Sequence, residues 1–296
     1  MSRQNRRDFL KVATGLTASL YAADSSIAAP DKIVSEDRSG VLVDTTVCIG
    51  CRKCEYACKI AHDIITEGSE SYNDHSVFDQ KRRPDDQNLT VVNAYKNNDG
   101  SEHPITVKVQ CMHCDEPACL SACIVGAFSK CENGSVVWDE SKCIGCRYCM
   151  VACPFQIPAF EYSKALEPKV MKCDFCAERL KNNAVPACVE ICPVEALIFG
   201  SRSDLLKLAK EKIKDNPSRY IDHIYGEYEV GGTSWLYIAG LEFQKFDFPK
   251  LDTKSAPGVS EAIQHGIFAY FVPPVALYAI LGGVMWMTKN NKGEES

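Results

Sequence analysis

The sequence predicts an α+β fold in two tandem modules: short strands and short helices around cysteine-lined loops, with one insertion and a C-terminal transmembrane helix. Three observations predict it. Sixteen of the 17 cysteines fall into four groups of four. The segments between groups carry short β-rich runs and turn residues rather than long periodic helices. An uncharged stretch, residues 267–288, lies near the C-terminus.

The organising stretch is Cys143-Ile144-Gly145-Cys146-Arg147-Tyr148-Cys149-Met150-Val151-Ala152-Cys153-Pro154. It reads C-x2-C-x2-C-x3-C-P, the ligand run of bacterial ferredoxins. There, three close thiolates hold one iron–sulfur cluster and the fourth holds a neighbouring one. Cys48, Cys51, Cys54 and Cys58 repeat that spacing as group one, and Cys48-Ile49-Gly50-Cys51-Arg52 mirrors Cys143-Ile144-Gly145-Cys146-Arg147. Cys111, Cys114, Cys119 and Cys123 form group two; Cys173, Cys176, Cys188 and Cys192 form group four, with wider internal gaps. Group four closes on Cys192-Pro193, whereas groups one and two close on Lys59 and Ile124. Cys131 is left over, in the turn Lys130-Cys131-Glu132-Asn133-Gly134, and is read as a non-ligand thiol. His113 sits beside four thiolates already, so it is read as a neighbour of the site or a surface residue rather than a ligand. Two other readings compete. Four-cysteine sites also bind zinc, but a continuous run argues against it. A disulfide scaffold is usually a small secreted domain with other spacings.

A chain of 296 residues has room for one or two domains with a real core. Its net charge of −6 argues against nucleic acid. Asn5-Arg6-Arg7-Asp8-Phe9-Leu10-Lys11 resembles a twin-arginine export signal. A mildly apolar run to Ala23 and a small-residue cleavage site at Ser26-Ile27-Ala28 complete it, so residues 1–28 are set apart from the fold. That route carries folded cargo, which suits clusters assembled on reduced thiols before export.

Val41-Leu42-Val43-Asp44 predicts a strand before group one. Residues 59–110 form an insertion containing two strands, Leu89–Tyr95 and Ile105–Val109, joined by the turn Asn97-Asn98-Asp99-Gly100. Residues 66–88, with Lys81-Arg82-Arg83, read as a solvated loop, or alternatively a docking surface. Nineteen residues separate Cys123 from Cys143, and nineteen Cys153 from Cys173. Ser135-Val136-Val137-Trp138-Asp139 reads as a hairpin strand, and each closing C-x3-C as a short helix. Arg52, Lys53 and Arg147 are candidates for tuning a cluster by charge. Leu197–Gly200 predicts a strand, and Ser203 is expected to cap a helix from Asp204 to Lys214. The glycines of Tyr225–Thr233 are no dinucleotide fingerprint. The cysteine domain is expected over 40–245 and a linker over 246–266.

A bilayer core of roughly 30 Å needs about 20 helical residues. The 22 residues of 267–288 suffice, with Phe268, Tyr270, Phe271 and Trp286 placed for the interfaces and Pro273-Pro274 as a kink or a late start. Combined with the export signal, this predicts clusters on the periplasmic face and a cytoplasmic tail, 289–296.

Four such cysteine groups resemble the four-cluster ferredoxin-like iron–sulfur subunits of the molybdopterin-oxidoreductase type, as in formate dehydrogenase, dimethyl sulfoxide reductase and polysulfide reductase. Gln110-Cys111-Met112-His113-Cys114-Asp115-Glu116-Pro117-Ala118-Cys119, Cys146–Pro154, Tyr225-Gly226-Glu227 and Gly231-Gly232-Thr233 carry the resemblance, over roughly residues 40–245. The added export signal and C-terminal anchor are similar to those of the periplasmic iron–sulfur subunit of quinone-linked type-2 nickel–iron hydrogenase, as is the stretch ending Phe248-Pro249-Lys250-Leu251-Asp252.

The resemblance implies two modules, each with two 4Fe-4S clusters, and crossed ligation. Cys48, Cys51 and Cys54 would join Cys192; Cys173, Cys176 and Cys188 would join Cys58. Cys111, Cys114 and Cys119 would join Cys153; Cys143, Cys146 and Cys149 would join Cys123. It implies an electron carrier with no catalytic centre. Its partners would be the hydrogenase small and large subunits, an integral-membrane quinone-reactive subunit and the membrane, with no nucleic acid. The alternative is the electron-transfer subunit of a molybdopterin oxidoreductase.

Overall fold

The computed structural model describes residues 37–97, 103–164, 169–257 and 274–285. In chain order, strand β1 is Ser39–Asp44 and helix α1 Lys53–Ala61, followed by strands β2 (Val91–Tyr95) and β3 (Ile105–Val109). Helix α2 (Ala118–Ser121), strands β4 (Phe128–Lys130) and β5 (Val136–Trp138), helix α3 (Tyr148–Ala152) and strands β6 (Ala159–Phe160) and β7 (Val170–Met171) come next. Helices α4 (Ala177–Lys181) and α5 (Ala187–Glu190), strand β8 (Leu197–Ser201), helix α6 (Arg202–Asp215) and strand β9 (Trp235–Ile238) complete the series. Each predicted strand forms. The two insertion strands pair antiparallel from Val91↔Val109 to Tyr95↔Ile105. Of their predicted turn, residues 98–100 lie outside the described residues.

A three-stranded sheet ties the ends of the domain together. β1 pairs antiparallel with β8 and parallel with β9. Its faces follow the two-residue period of a strand. Val41, Val43, Trp235 and Tyr237 point into the larger core with the cysteines. Leu42, Leu236 and Ile238 point the other way, onto Leu205, Ala209 and Ile213 of α6. Those three recur at four-residue spacing, one helix stripe. α6 starts two residues earlier than expected because Ser201, not Ser203, caps it: its side chain accepts from the Asp204 N–H.

Two expectations are corrected. The 246–266 linker begins inside the packed core, since Phe246 is 1 % exposed and Phe248 9 %. They pack edge-on to Tyr95 and Tyr237, Phe246 at the end of the short 3-10 helix Phe243–Phe246 and Phe248 just beyond it. The Lys81-Arg82-Arg83 run is not simply solvated. Arg82 reaches Glu55 at 2.5 Å, and Arg52 meets the same carboxylate at 3.1 Å. Glu55 also accepts the Val92 N–H at 2.6 Å. Arg83 donates to the Phe155 carbonyl at 2.6 Å. Glu55 is 1 % exposed, so these bonds compensate the desolvation of its charge. Removing it strands two guanidinium groups and a backbone N–H. Glu55→Ala is expected to cost about 3–5 kcal/mol, a fall on the order of 10 °C in Tm of the loaded protein. A shift below about 2 °C would show that the ion pair is worth no more than a surface one.

Residues 274–285 are helical and lie within the predicted span 267–288. The rest of that span, the tail and the predicted signal at 1–28 lie outside the described residues. No helix among the described residues is long and apolar enough to cross a membrane.

Candidate metal centres

The four cysteine groups share one backbone device. The residue before the second cysteine is left-handed in every group: Gly50 (φ 69°), His113 (φ 50°), Gly145 (φ 68°) and Phe175 (φ 66°). This turns the loop back so that the first two thiols converge. In groups one and three the following arginine is left-handed too, Arg52 at φ 57° and Arg147 at φ 60°, immediately before α1 and α3. Glycine is required at 50 for space as well, because a Cβ there would lie 2.7 Å from Thr106. The two non-glycine turns carry strain and stack on each other, His113 over Phe175 at 4.9 Å.

A second device closes groups two, three and four. Three residues after the last cysteine the chain is again left-handed, at Gly126 (φ 63°), Gln156 (φ 52°) and Glu195 (φ 51°). Each of these N–H groups donates to the carbonyl of its cysteine, Cys123, Cys153 or Cys192, at 3.1, 3.0 and 3.4 Å. The absence of proline after Cys123 therefore leaves the turn unchanged.

Tertiary packing brings thiols from different groups into four sets. Cys48, Cys51, Cys54 and Cys192 line one small cavity and form set I. Cys58, Cys173, Cys176 and Cys188 line another and form set II. In set III, burial pushes the Cys114 thiol well up, and the charges of Cys111, Cys153 and Cys119 add to the rise. In set IV, burial pushes Cys149 up to about 11, with Cys143, Cys146 and Cys123 adding. Neighbouring sets bear on one another through charge in the order I, II, III, IV. Cys188 of set II raises Cys54 of set I. Cys111 of set III raises Cys173 of set II, and Cys149 of set IV raises Cys119 of set III. All 17 cysteines are free, so no disulfide framework is present.

The donor chemistry fits iron–sulfur clusters: each set offers four soft thiolates and no oxygen ligand is needed. Burial opposes ionisation of Cys54, Cys114, Cys119, Cys149 and Cys173, so a bound metal or a nearby cation must supply positive charge there. His113 is no surface group. It is fully buried and its Nδ1 accepts the Val136 N–H at 2.8 Å. His62, Asp174 and Cys176 bring donor atoms within 4.8 Å of one another. Cys176 belongs to set II, and His62 instead bonds Asp174 at 2.7 Å and the Cys58 carbonyl at 2.8 Å, bracing that set.

Of the cations singled out from the sequence, Arg52 and Lys53 line the set I cavity, but both arginines also have partners outside the cysteine sets. Arg52 serves Glu55 and Tyr72, and Arg147 lies over Phe160 and Tyr162. The buried ones were missed: Lys108 at 2 % exposure and Lys172 at 7 %. A lysine inside the apolar strand Ile105-Thr106-Val107-Lys108-Val109 was the available signal. The Tyr225–Thr233 segment braces set III. Gly232 O accepts the Asp115 N–H at 2.9 Å, and the Met112 carbonyl accepts the Ser234 N–H at 3.2 Å.

Comparison with known proteins agrees with this chemistry. Residues 104–202 match a 4Fe-4S dicluster domain. The chain is 32 % identical to hydrogenase-2 operon protein HybA of Escherichia coli O157:H7, over 98 % of this chain and 97 % of HybA. It belongs to the family of iron–sulfur electron-transfer subunits that includes HybA. Other relatives are less completely covered. The nitrate-inducible formate dehydrogenase iron–sulfur subunit of Escherichia coli K12 is 32 % identical, over 73 % of this chain and 74 % of the relative. A protein of Nitratidesulfovibrio vulgaris Hildenborough is 49 % identical, over 86 % of this chain and 69 % of its own length. As a member of that family the chain is an iron–sulfur electron-transfer subunit of an oxidoreductase complex.

Proposed function

We propose that the chain holds four 4Fe-4S clusters, one in each of sets I–IV, and relays electrons between a hydrogenase and a quinone-reactive membrane subunit. The observation that carries the four-cluster reading is the gathering of sixteen thiols into four sets, each with three from one group and one from another. The clusters supply one-electron sites. The chain's residues hold them, space them and exclude water from them. Full-length similarity to HybA, named for its hydrogenase-2 operon, favours hydrogenase over formate dehydrogenase as the partner.

In this reading residues 1–28 direct export by the twin-arginine route. Residues 267–288 span the membrane once, clusters on the periplasmic side, supported by the uncharged 22-residue run. The domain occupies 40–245 and continues through the buried phenylalanines that follow.

The test is metal content. Anaerobically purified protein is expected to carry about 16 iron atoms, four cubanes of four, and its complex to contain nickel. Zinc in place of iron, or iron for two clusters only, would sink the four-cluster assignment. Molybdenum without nickel would transfer it to a molybdopterin enzyme.

A further inference from the structure

Sets I and II share one buried cation. Lys108 lines both of their cavities, and it is 2 % exposed. A closed circuit of buried groups fixes it. Its Nζ donates to Gln110 Oε1 at 2.9 Å. Gln110 Nε2 donates to the Tyr237 hydroxyl at 2.7 Å, and that hydroxyl donates to the Lys108 carbonyl at 2.9 Å. The ammonium also stands 4.5 Å from the centre of the Trp235 ring. Among the described residues no carboxylate forms an ion pair with it. A charge buried this deeply needs a counter-charge. The groups whose negative charge, as cluster thiolates, would hold it protonated against burial are Cys188, Cys54 and Cys173, from both sets.

We infer that Lys108 is the shared counter-ion of sets I and II, a fixed positive charge that raises the reduction potential of the clusters held at both. The inference rests on the four-cluster reading above. Each cluster gains one negative charge when it accepts an electron. An ammonium held between two of them favours the reduced form of each. It also lessens the repulsion between them when both are reduced, through an interior that screens weakly. Set IV is the internal contrast: the charges that bear on Cys149 are those of its fellow cysteines. Lys172 occupies the next junction, facing Cys111 and Cys119 of set III and Cys173 of set II, so replacing Lys108 leaves that junction charged.

The experiment is a redox titration followed by electron paramagnetic resonance, on the full-length protein with Lys108 replaced by Met, Gln or Arg. Lys108→Met and Lys108→Gln are expected to make two of the four couples at least tenfold harder to reduce, a fall of about 59 mV for one electron. The other two couples should hold their potentials. Lys108→Arg, which keeps the charge, should retain all four. A structural role alone would not move two potentials selectively and spare them in the arginine variant. Four unmoved couples in loaded Lys108→Met and Lys108→Gln protein overturn the inference. So does an equal shift of all four. If the neutral variants lose iron from two sites and Lys108→Arg keeps it, those sites require the charge and the inference stands. If Lys108→Arg loses it as well, the side chain's shape is what matters and the inference falls. Wild-type protein with iron for fewer than four clusters would instead overturn the reading beneath it.

Discussion

Deleting this chain abolishes hydrogen-dependent quinone reduction and leaves hydrogen-dependent reduction of a soluble dye intact. That is the expected result if the chain is the relay between a hydrogenase and a membrane partner. In that reading dye reduction requires only the catalytic subunits, whereas quinone reduction requires electrons to pass through sets I–IV. The loss should be essentially complete, because removing intermediate sites multiplies the tunnelling distance rather than adding a modest barrier. Membrane fractions of the deletion strain, assayed with hydrogen and a quinone analogue and separately with a dye, check it. Quinone reduction at the wild-type rate would assign the relay to another subunit.

Much of the architecture was legible because it is local. The short strands before group one, between groups two and three, and after group four follow from brief apolar runs, and all of them form. The two left-handed loops at Gly50 and Gly145 follow from the repeated Cys-Ile-Gly-Cys-Arg. One local expectation was misplaced: Ser203 was expected to cap the helix, but β8 runs to Ser201, and it is the Ser201 side chain that accepts from the Asp204 N–H.

The partnerships between groups were not legible from spacing. Spacing reports which thiols lie on one loop, whereas the fourth member of each set arrives through sheet pairing and helix packing. Only the resemblance to known iron–sulfur subunits implied the crossing. β1 pairing with both β8 and β9 draws the two ends of the domain together, which delivers Cys192 to Cys48. The same limit hid Lys108 and Glu55. A charge in an apolar strand or helix does not reveal its partner, and those partners lie on other segments, Arg82 for Glu55 and two cysteine sets for Lys108. Phe246 and Phe248 escaped because they pack at the end of a four-residue 3-10 helix and just beyond it, too short a run to show a period in the sequence.

The central claim is the crossing itself, and one substitution tests it most directly. Cys192 and Cys188 are four residues apart, yet they line different cavities: Cys192 with Cys48, Cys51 and Cys54, Cys188 with Cys58, Cys173 and Cys176. Replacing one thiolate by an alcohol changes the field at one cluster and leaves its neighbours' ligands in place. Cys192→Ser should therefore alter the same resonance of the reduced, loaded protein as Cys51→Ser, although Cys51 lies far away in sequence. It should leave unaltered the resonance that Cys176→Ser changes. If Cys192→Ser instead changes the Cys176 resonance and spares the Cys51 resonance, each cluster takes its ligands from a single sequence group and the crossed arrangement is wrong.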